Sequence, residues 1–348
     1  MNGKTMNDFD AIGTFGVRQS VVNGRDELLS AYDLVFAVLS WETRCTAAAK
    51  LLKGRGQKVK VLHFVSLDTT LERLKEKNLA IIKGELGDDF GEVLLFDSSV
   101  RQDKNFPLIF KLLEDAAVRA KRPLHVLFDM TCFPKRYLLY FLGVCFQTEF
   151  AVSLDYLYSE GRYLPGAQLE GLAEVKRLVS EGEWQMLQVP YFESREFGSD
   201  SDHDLFISAG LEMHSIAEYV NTNEPRNVVV YEVEDGNHRI DSVLLADARN
   251  RMKTLLDVPN VSTKQFKLVD IIGLARDAMA AVRKTTCLAI GSKPHALALG
   301  LAALSNKNLE ITCRVPVGYS GNDIPAIGTI QRFEIRDRFN PSVYRTLK

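Results

Sequence analysis

One pattern constrains this chain more than any other. An apolar, strand-like run enters a short corner carrying a glutamate and, two residues later, a basic residue, and the pattern occurs twice. Leu34 to Ser40 lead into Trp41-Glu42-Thr43-Arg44, and Leu205 to Gly210 lead into Leu211-Glu212-Met213-His214. Each passage continues through a helical stretch to a second apolar run, Val59 to Val65 in one and Asn227 to Val233 in the other. Each half later supplies a lysine where a strand turns into a helix. A repeat of this length implies one supersecondary unit built twice, and two facing copies would make a pocket between them.

The rest of the chain fits that reading. In the first half, strand-like runs at Leu34–Ser40, Val59–Val65, Glu92–Phe96, Leu124–Asp129 and Val152–Tyr158 alternate with helical patterns near Arg44–Lys53, Thr69–Leu86, Asn105–Ala120 and Lys135–Phe146. In the second half, strands at Leu205–Ala209, Asn227–Val233, Gln265–Lys267, Cys287–Ile290 and Leu309–Val315 alternate with helices near Met213–Val220, Ile240–Leu255, Ile271–Arg283 and His295–Leu304. Continuous apolar strands separated by helices are buried on both faces, which specifies a parallel sheet covered by helices. The expected fold is therefore α/β, with two Rossmann-like parallel-sheet units arising by internal duplication. Gly161, Pro165, Gly166 and the run Gly198-Ser199-Asp200-Ser201-Asp202 mark turns and a polar linker. They set the expected units at residues 1–200 and 201–348. The first would carry a bridging extension, with a helical pattern at Leu169–Ser180 and a strand at Trp184–Val189, and the second a C-terminal tail.

Composition removes several function classes. The 348 residues suffice for about two domains. Lysine and arginine number 43 against 45 acidic residues, so no global positive field holds a nucleic-acid backbone, and general nucleic-acid binding is not expected. The five cysteines are odd in number, widely spaced and without a C-x-x-C pair, which argues for reduced, mostly buried thiols and no metal. Met1 to Asp10 lack the apolar core of an export signal, and the longest apolar run, Tyr137 to Phe146, is about half of the ~20 residues a membrane span needs. A cytoplasmic protein with no membrane partner is the expectation.

In open parallel sheets, ligands bind beyond the carboxyl ends of the strands, where helix N-termini present N–H groups to anions. Ser40, Glu42 and Arg44 lie at one such corner, and Glu212 and His214 at its repeat. A glutamate there suits ribose hydroxyls or adenine amino protons, and Arg44 suits a phosphate. The bland alternative is an acidic first helical turn with Arg44 paired to Glu42 across the surface. Asp129-Met130-Thr131-Cys132-Phe133-Pro134-Lys135-Arg136 follows a strand and opens a helix, placing Asp129, Thr131, Lys135 and Arg136 around one small volume. Capping by Asp129 or Thr131 would explain the polar residues, but not two adjacent cations at the positive end of a helix. The matching passage, Gly291-Ser292-Lys293-Pro294-His295, offers close backbone approach at Gly291, a cap or donor at Ser292 and charge at Lys293. Neither G-x-x-x-x-G-K-[ST] nor G-x-G-x-x-G occurs, so ordinary nucleotide hydrolysis and dinucleotide binding lose support. Of the six histidines none has metal-pair spacing, and His63 and His125 sit in apolar strands as core residues.

Asp129-Met130-Thr131 through Lys135 resembles the D-[IL]-[ST]-x-x-x-K turn of CRISPR-associated Rossmann-fold (CARF) sensor domains, and Gly291 to Ala298 looks like a variant of it. The resemblance implies paired Rossmann units with a cyclic oligoadenylate or related nucleotide across their shared cleft. It places Ser40 and Glu42 in the first loop, and Thr131, Lys135, Ser292 and Lys293 on the phosphate side. Cys132 and Phe133 replace the glycines of the family's turn, and no nuclease or winged-helix effector is recognisable.

The expected function is a nucleotide-binding regulatory or sensor protein acting through a protein partner, within a bacterial antiviral defence system. One alternative is a transferase or glycosidic-bond-cleaving enzyme using Glu42 or Glu212 on a nucleotide or nucleotide sugar. Another is a structural subunit of a complex.

Overall fold

The computed structural model describes residues 8–22, 28, 31–97, 104–164, 180–193, 203–211, 213, 216–234, 239–319 and 322–339. The chain divides into two compact units, residues 1–161 with 323–348 and residues 162–322.

The first unit is built on β1 (Asp10–Ile12), β2 (Phe15–Val21), β3 (Leu34–Leu39), β4 (Val59–Val65), β5 (Phe90–Asp97), β6 (Leu124–Asp129), β7 (Ala151–Gly161) and β14 (Ala326–Asp337). Its helices are α1 (Ala49–Leu52), α2 (Thr69–Leu86), α3 (Phe106–Ala120) and α4 (Lys135–Gln147). The sheet order is β1-β2-β14-β7-β6-β3-β4-β5, with β5, β4, β3, β6 and β7 parallel. Every residue of β3 and β6 is buried, as expected of central strands covered on both faces. On one face Val35, Ala37, Leu39, Val59 and Val61 form a core with Leu52, Ile82 and Leu86 from α1 and α2. On the other, Phe128 meets Phe36 and Phe141 at ring-centroid distances of 5.7 and 4.7 Å.

The second unit uses β8 (Ser180–Gln188), β9 (Asp204–Ser208), β10 (Val228–Glu234), β11 (Val261–Lys267), β12 (Thr285–Ala289) and β13 (Leu309–Tyr319), with α5 (Ile216–Asn223), α6 (Ser242–Leu256), α7 (Ile271–Met279) and α8 (Lys293–Ser305). The order is β11-β10-β9-β12-β13-β8. Counting each parallel set in chain order, both sheets read 3-2-1-4-5, the doubly wound order whose direction reverses between strands 1 and 4. The two-unit α/β architecture read from the sequence is thus present, with one topology used twice.

Each parallel set is extended by an antiparallel strand, one expected in the first unit and the other expected only as a C-terminal tail. β8 follows β7 in the chain but pairs antiparallel with β13, and β14 follows β13 but pairs antiparallel with β7. The boundary consequently falls at residue 161 and the chain returns to the first unit at 323, in place of one division near 200. The strand expected at Trp184–Val189 belongs to the second sheet, and the helical pattern at 169–180 lies outside the described residues apart from Ser180, the first residue of β8. The C-terminal tail is in large part β14. Arg332, Glu334 and Arg336 gave it a polar look, yet all three are buried. They meet Asp155 on the same sheet face, where they satisfy one another. The Asp155 carboxylate accepts from Tyr32 Oη at 2.6 Å, from Arg332 Nη2 at 2.5 Å and from Arg336. Glu334 accepts from Arg18 Nε at 2.7 Å.

The helix expected over Arg44–Lys53 is a 3-10 turn at Thr43–Thr46 followed by the short α1. His125 is the satisfied strand residue expected of it, its Nδ1 lying 2.7 Å from Ser153 Oγ. His63 Nε2 lies 2.7 Å from Glu72 Oε2.

Candidate functional site

In the first unit the switch point lies between β3 and β6, and the two strands end at different levels. Their last paired residues are Phe36 and Phe128. Asp129, the end of β6, is therefore level with Ala37, while β3 continues two residues further to Leu39, about 7 Å. On the other side Asp129 pairs with Leu157, and β7 continues four residues to Gly161, about 13 Å. Beyond the Phe36–Phe128 pair β6 stays bonded to β7, with Met130 N donating to Leu157 O at 2.9 Å. β6 thus forms a notch between two longer neighbours.

Polar side chains gather over that notch. Thr131, which is fully buried, donates to Asp129 Oδ1 twice, from its hydroxyl at 2.5 Å and from its own N–H at 3.0 Å. Thr131 Oγ1 in turn accepts from Ser159 N at 2.9 Å. The Ser159 hydroxyl, 1 % exposed, has no hydrogen-bond partner among the described residues. Ser40 Oγ accepts from Glu42 N at 3.3 Å. Arg44 Nε donates to Glu42 Oε2 at 2.5 Å in a buried ion pair, so the expected surface pairing of these two residues is replaced by an internal one. Glu160 Oε1 accepts from Gln331 Nε2 at 2.6 Å. Trp41, Cys132, Pro134 and Lys135 are half-buried and form the rim.

The turn into α4 is not a capped corner. Its N-cap is Pro134, whose ring carries no acceptor, and Asp129 and Thr131 are engaged with one another. The 13-residue helix therefore presents its positive end toward the rim with Lys135 as its first residue. Arg136 follows it and faces an aromatic ring. It is buried with its guanidinium 5.0 Å from the centre of the Phe106 ring, so a cation–π contact accounts for the second cation.

Three supporting residues escaped sequence reasoning. Asn78 Nδ2 in α2 donates to Ser40 O at 2.8 Å, with Trp41 O and Glu42 O at 3.2 and 3.3 Å, fixing the first loop. The available signal was an amide within the buried stripe Leu71, Lys75, Asn78, Ile82, Leu86. Asp323 clamps the same loop, its carboxylate accepting from Thr43 N at 2.7 Å and Thr43 Oγ1 at 2.8 Å. Ser159 gave no local signal. Cys45 is no nucleophile, because burial pushes its thiol up to about 12.

In the second unit the corresponding strands end level. β9 and β12 stay paired through Ser208 and Ala289, their last residues. The chain leaving β12 then folds onto β9, where Gly291 N donates to Ser208 O at 2.7 Å and lies 3.1 Å from Ser208 Oγ. Ser292 caps α8 by accepting from His295 N at 3.2 Å. Of the residues expected here, Gly291, Ser292 and Lys293 are half-buried at this turn, and Glu212 and His214 lie outside the described residues. His295 is fully buried, and burial holds its imidazole down at about 4 and hence neutral.

Among the described residues, no group of three histidine, cysteine, aspartate or glutamate side chains comes together to hold a metal ion. No described helix is long and apolar enough to cross a membrane. Compared with known protein families and with curated proteins, the chain matches none.

Proposed function

We propose that this protein is a nucleotide-binding regulatory protein whose ligand docks over the β6 notch of the first unit, with a protein partner reading its bound state. The observation that carries the reading is the stagger at the switch point together with its polar floor of Asp129, Thr131 and Ser159. Ligands of doubly wound sheets occupy this position. The uncapped start of α4 and Lys135 suit a phosphate, and the half-buried Trp41 offers a planar face to a base. The CARF resemblance of the Asp129-to-Lys135 turn supports a sensing output and a place in antiviral defence. Catalysis is the weaker reading, since Glu42, one of its two candidates, is buried in an ion pair with Arg44.

The test is mass spectrometry of small molecules released from gently purified protein, joined to thermal unfolding against a panel of mononucleotides and short oligonucleotides. A retained or stabilising nucleotide is expected. A ligand at about 100 times its Kd adds about 2.7 kcal/mol to stability. A panel that retains nothing and moves no transition at millimolar concentration rejects the reading.

A further inference from the structure

We infer that the chain carries one such ligand site rather than two, because the second unit's corner is sealed by its own backbone and serves as a structural clasp. The inference rests on the nucleotide-binding reading above and specifies its stoichiometry. Both units have the same strand order, so symmetry alone would give two equivalent corners. Three differences separate them.

The first is strand level. β3 outruns β6, whereas β9 and β12 end together. The second is what the departing chain does. After β6 it bonds to β7, leaving β3 behind, and after β12 it bonds back across the switch point onto Ser208. The two loops of the second unit consequently touch through backbone. A Cβ on Gly210 would lie 3.0 Å from Gly291 Cα, and one on Gly291 would lie 2.3 Å from Ala209 O. Not even a methyl group fits between them, so a phosphate does not.

The third difference is how polar groups are satisfied. Gly291 N, the amide best placed to meet an anion, is already donated to Ser208, and Ser292 Oγ occupies the first turn of α8. In the first unit α4 has no side-chain cap, and the buried Ser159 hydroxyl beside Thr131 lacks a partner among the described residues. A buried hydroxyl without a partner carries a desolvation penalty that a bound polar group removes. The ligand class is a molecule with a compact oxyanion, such as a nucleotide phosphate, bound at the first unit alone.

Fluorescently labelled ADP titrated into the full chain tests this by stoichiometry and by two variants. One probe per chain is expected, with at least a tenfold weaker Kd for Lys135→Ala and less than a twofold change for Lys293→Ala. Two probes per chain, or equal weakening by the two substitutions, overturns the single-site inference while leaving nucleotide binding standing. No binding by the unaltered protein at millimolar probe overturns both. Circular dichroism of each variant, expected to match the unaltered chain, assigns a lost affinity to the side chain rather than to misfolding.

Discussion

Asp155→Asn is expected to destabilise the first unit by about 3–5 kcal/mol, the usual cost of removing one member of a buried ion network. Asp155 is fully buried and takes hydrogen bonds from Tyr32, Arg332 and Arg336. Burial alone would raise its pKa. The guanidiniums of Arg336 and then Arg332 outweigh that and hold the carboxyl well below its ordinary value. The network contains three guanidiniums, of Arg18, Arg332 and Arg336, and two carboxylates, of Asp155 and Glu334. Neutralising Asp155 leaves one buried anion against three cations. The pH dependence follows in sign. The stabilisation is complete above the unfolded carboxyl value near 3.8 and is lost as the pH falls below it. Urea unfolding followed by tryptophan fluorescence and circular dichroism measures the loss, with exposed Asp115→Asn, partner of Lys111, as a control within about 0.5 kcal/mol. A loss under about 1 kcal/mol for Asp155→Asn would show that the network does not hold β14 on β7.

Gly291→Ala is expected to destabilise the second unit by about 3 kcal/mol or more, at the upper end of the cost of overpacking. The new methyl would meet Ala209 O at 2.3 Å and Ser208 Oγ at 2.7 Å, and the first is a backbone atom in a central strand end. Relief requires β9 and the β12 turn to part, which also breaks the Gly291 N bond to Ser208 O. Gly84→Ala in α2 is the comparison. Nothing lies within 4 Å of its added methyl, so it should stabilise the protein by about 0.5–1 kcal/mol through helix propensity. Wild-type denaturation midpoints for Gly291→Ala would mean that the corner is not sealed as described.

The sequence revealed the strands whose burial is a local property and concealed those whose burial is negotiated over distance. β3, β6, β9 and β12 are continuous apolar runs, legible because each face of a central parallel strand meets a helix. β14 was not legible, because its arginines and Glu334 are buried only by virtue of Asp155 and Arg18, far away in the chain. The same logic explains the exchanged strands. The strand at Trp184–Val189 was expected in an extension of the first unit, because nothing near residue 180 signals that β8 pairs with β13.

The candidate site was read with the same unevenness. Corner position and residue type were enough to single out Ser40, Asp129, Thr131 and Lys135, which lie on the two corners that flank one switch point. The contact of Arg136 with Phe106 was not legible, because Phe106 lies on another helix. Gly291 drew notice for the closeness of backbone approach that glycine allows. The groups that approach it in the structure are Ala209 and Ser208.

The measurement that tests the central claim most directly is amide hydrogen exchange of the full chain with and without the nucleotide that stabilises it. Slowed exchange is predicted in peptides covering residues 39–45 and 129–137, with no change over 208–211 and 290–295. Protection confined to other segments, or appearing at 290–295 in place of 129–137, would contradict a ligand site over the β6 notch.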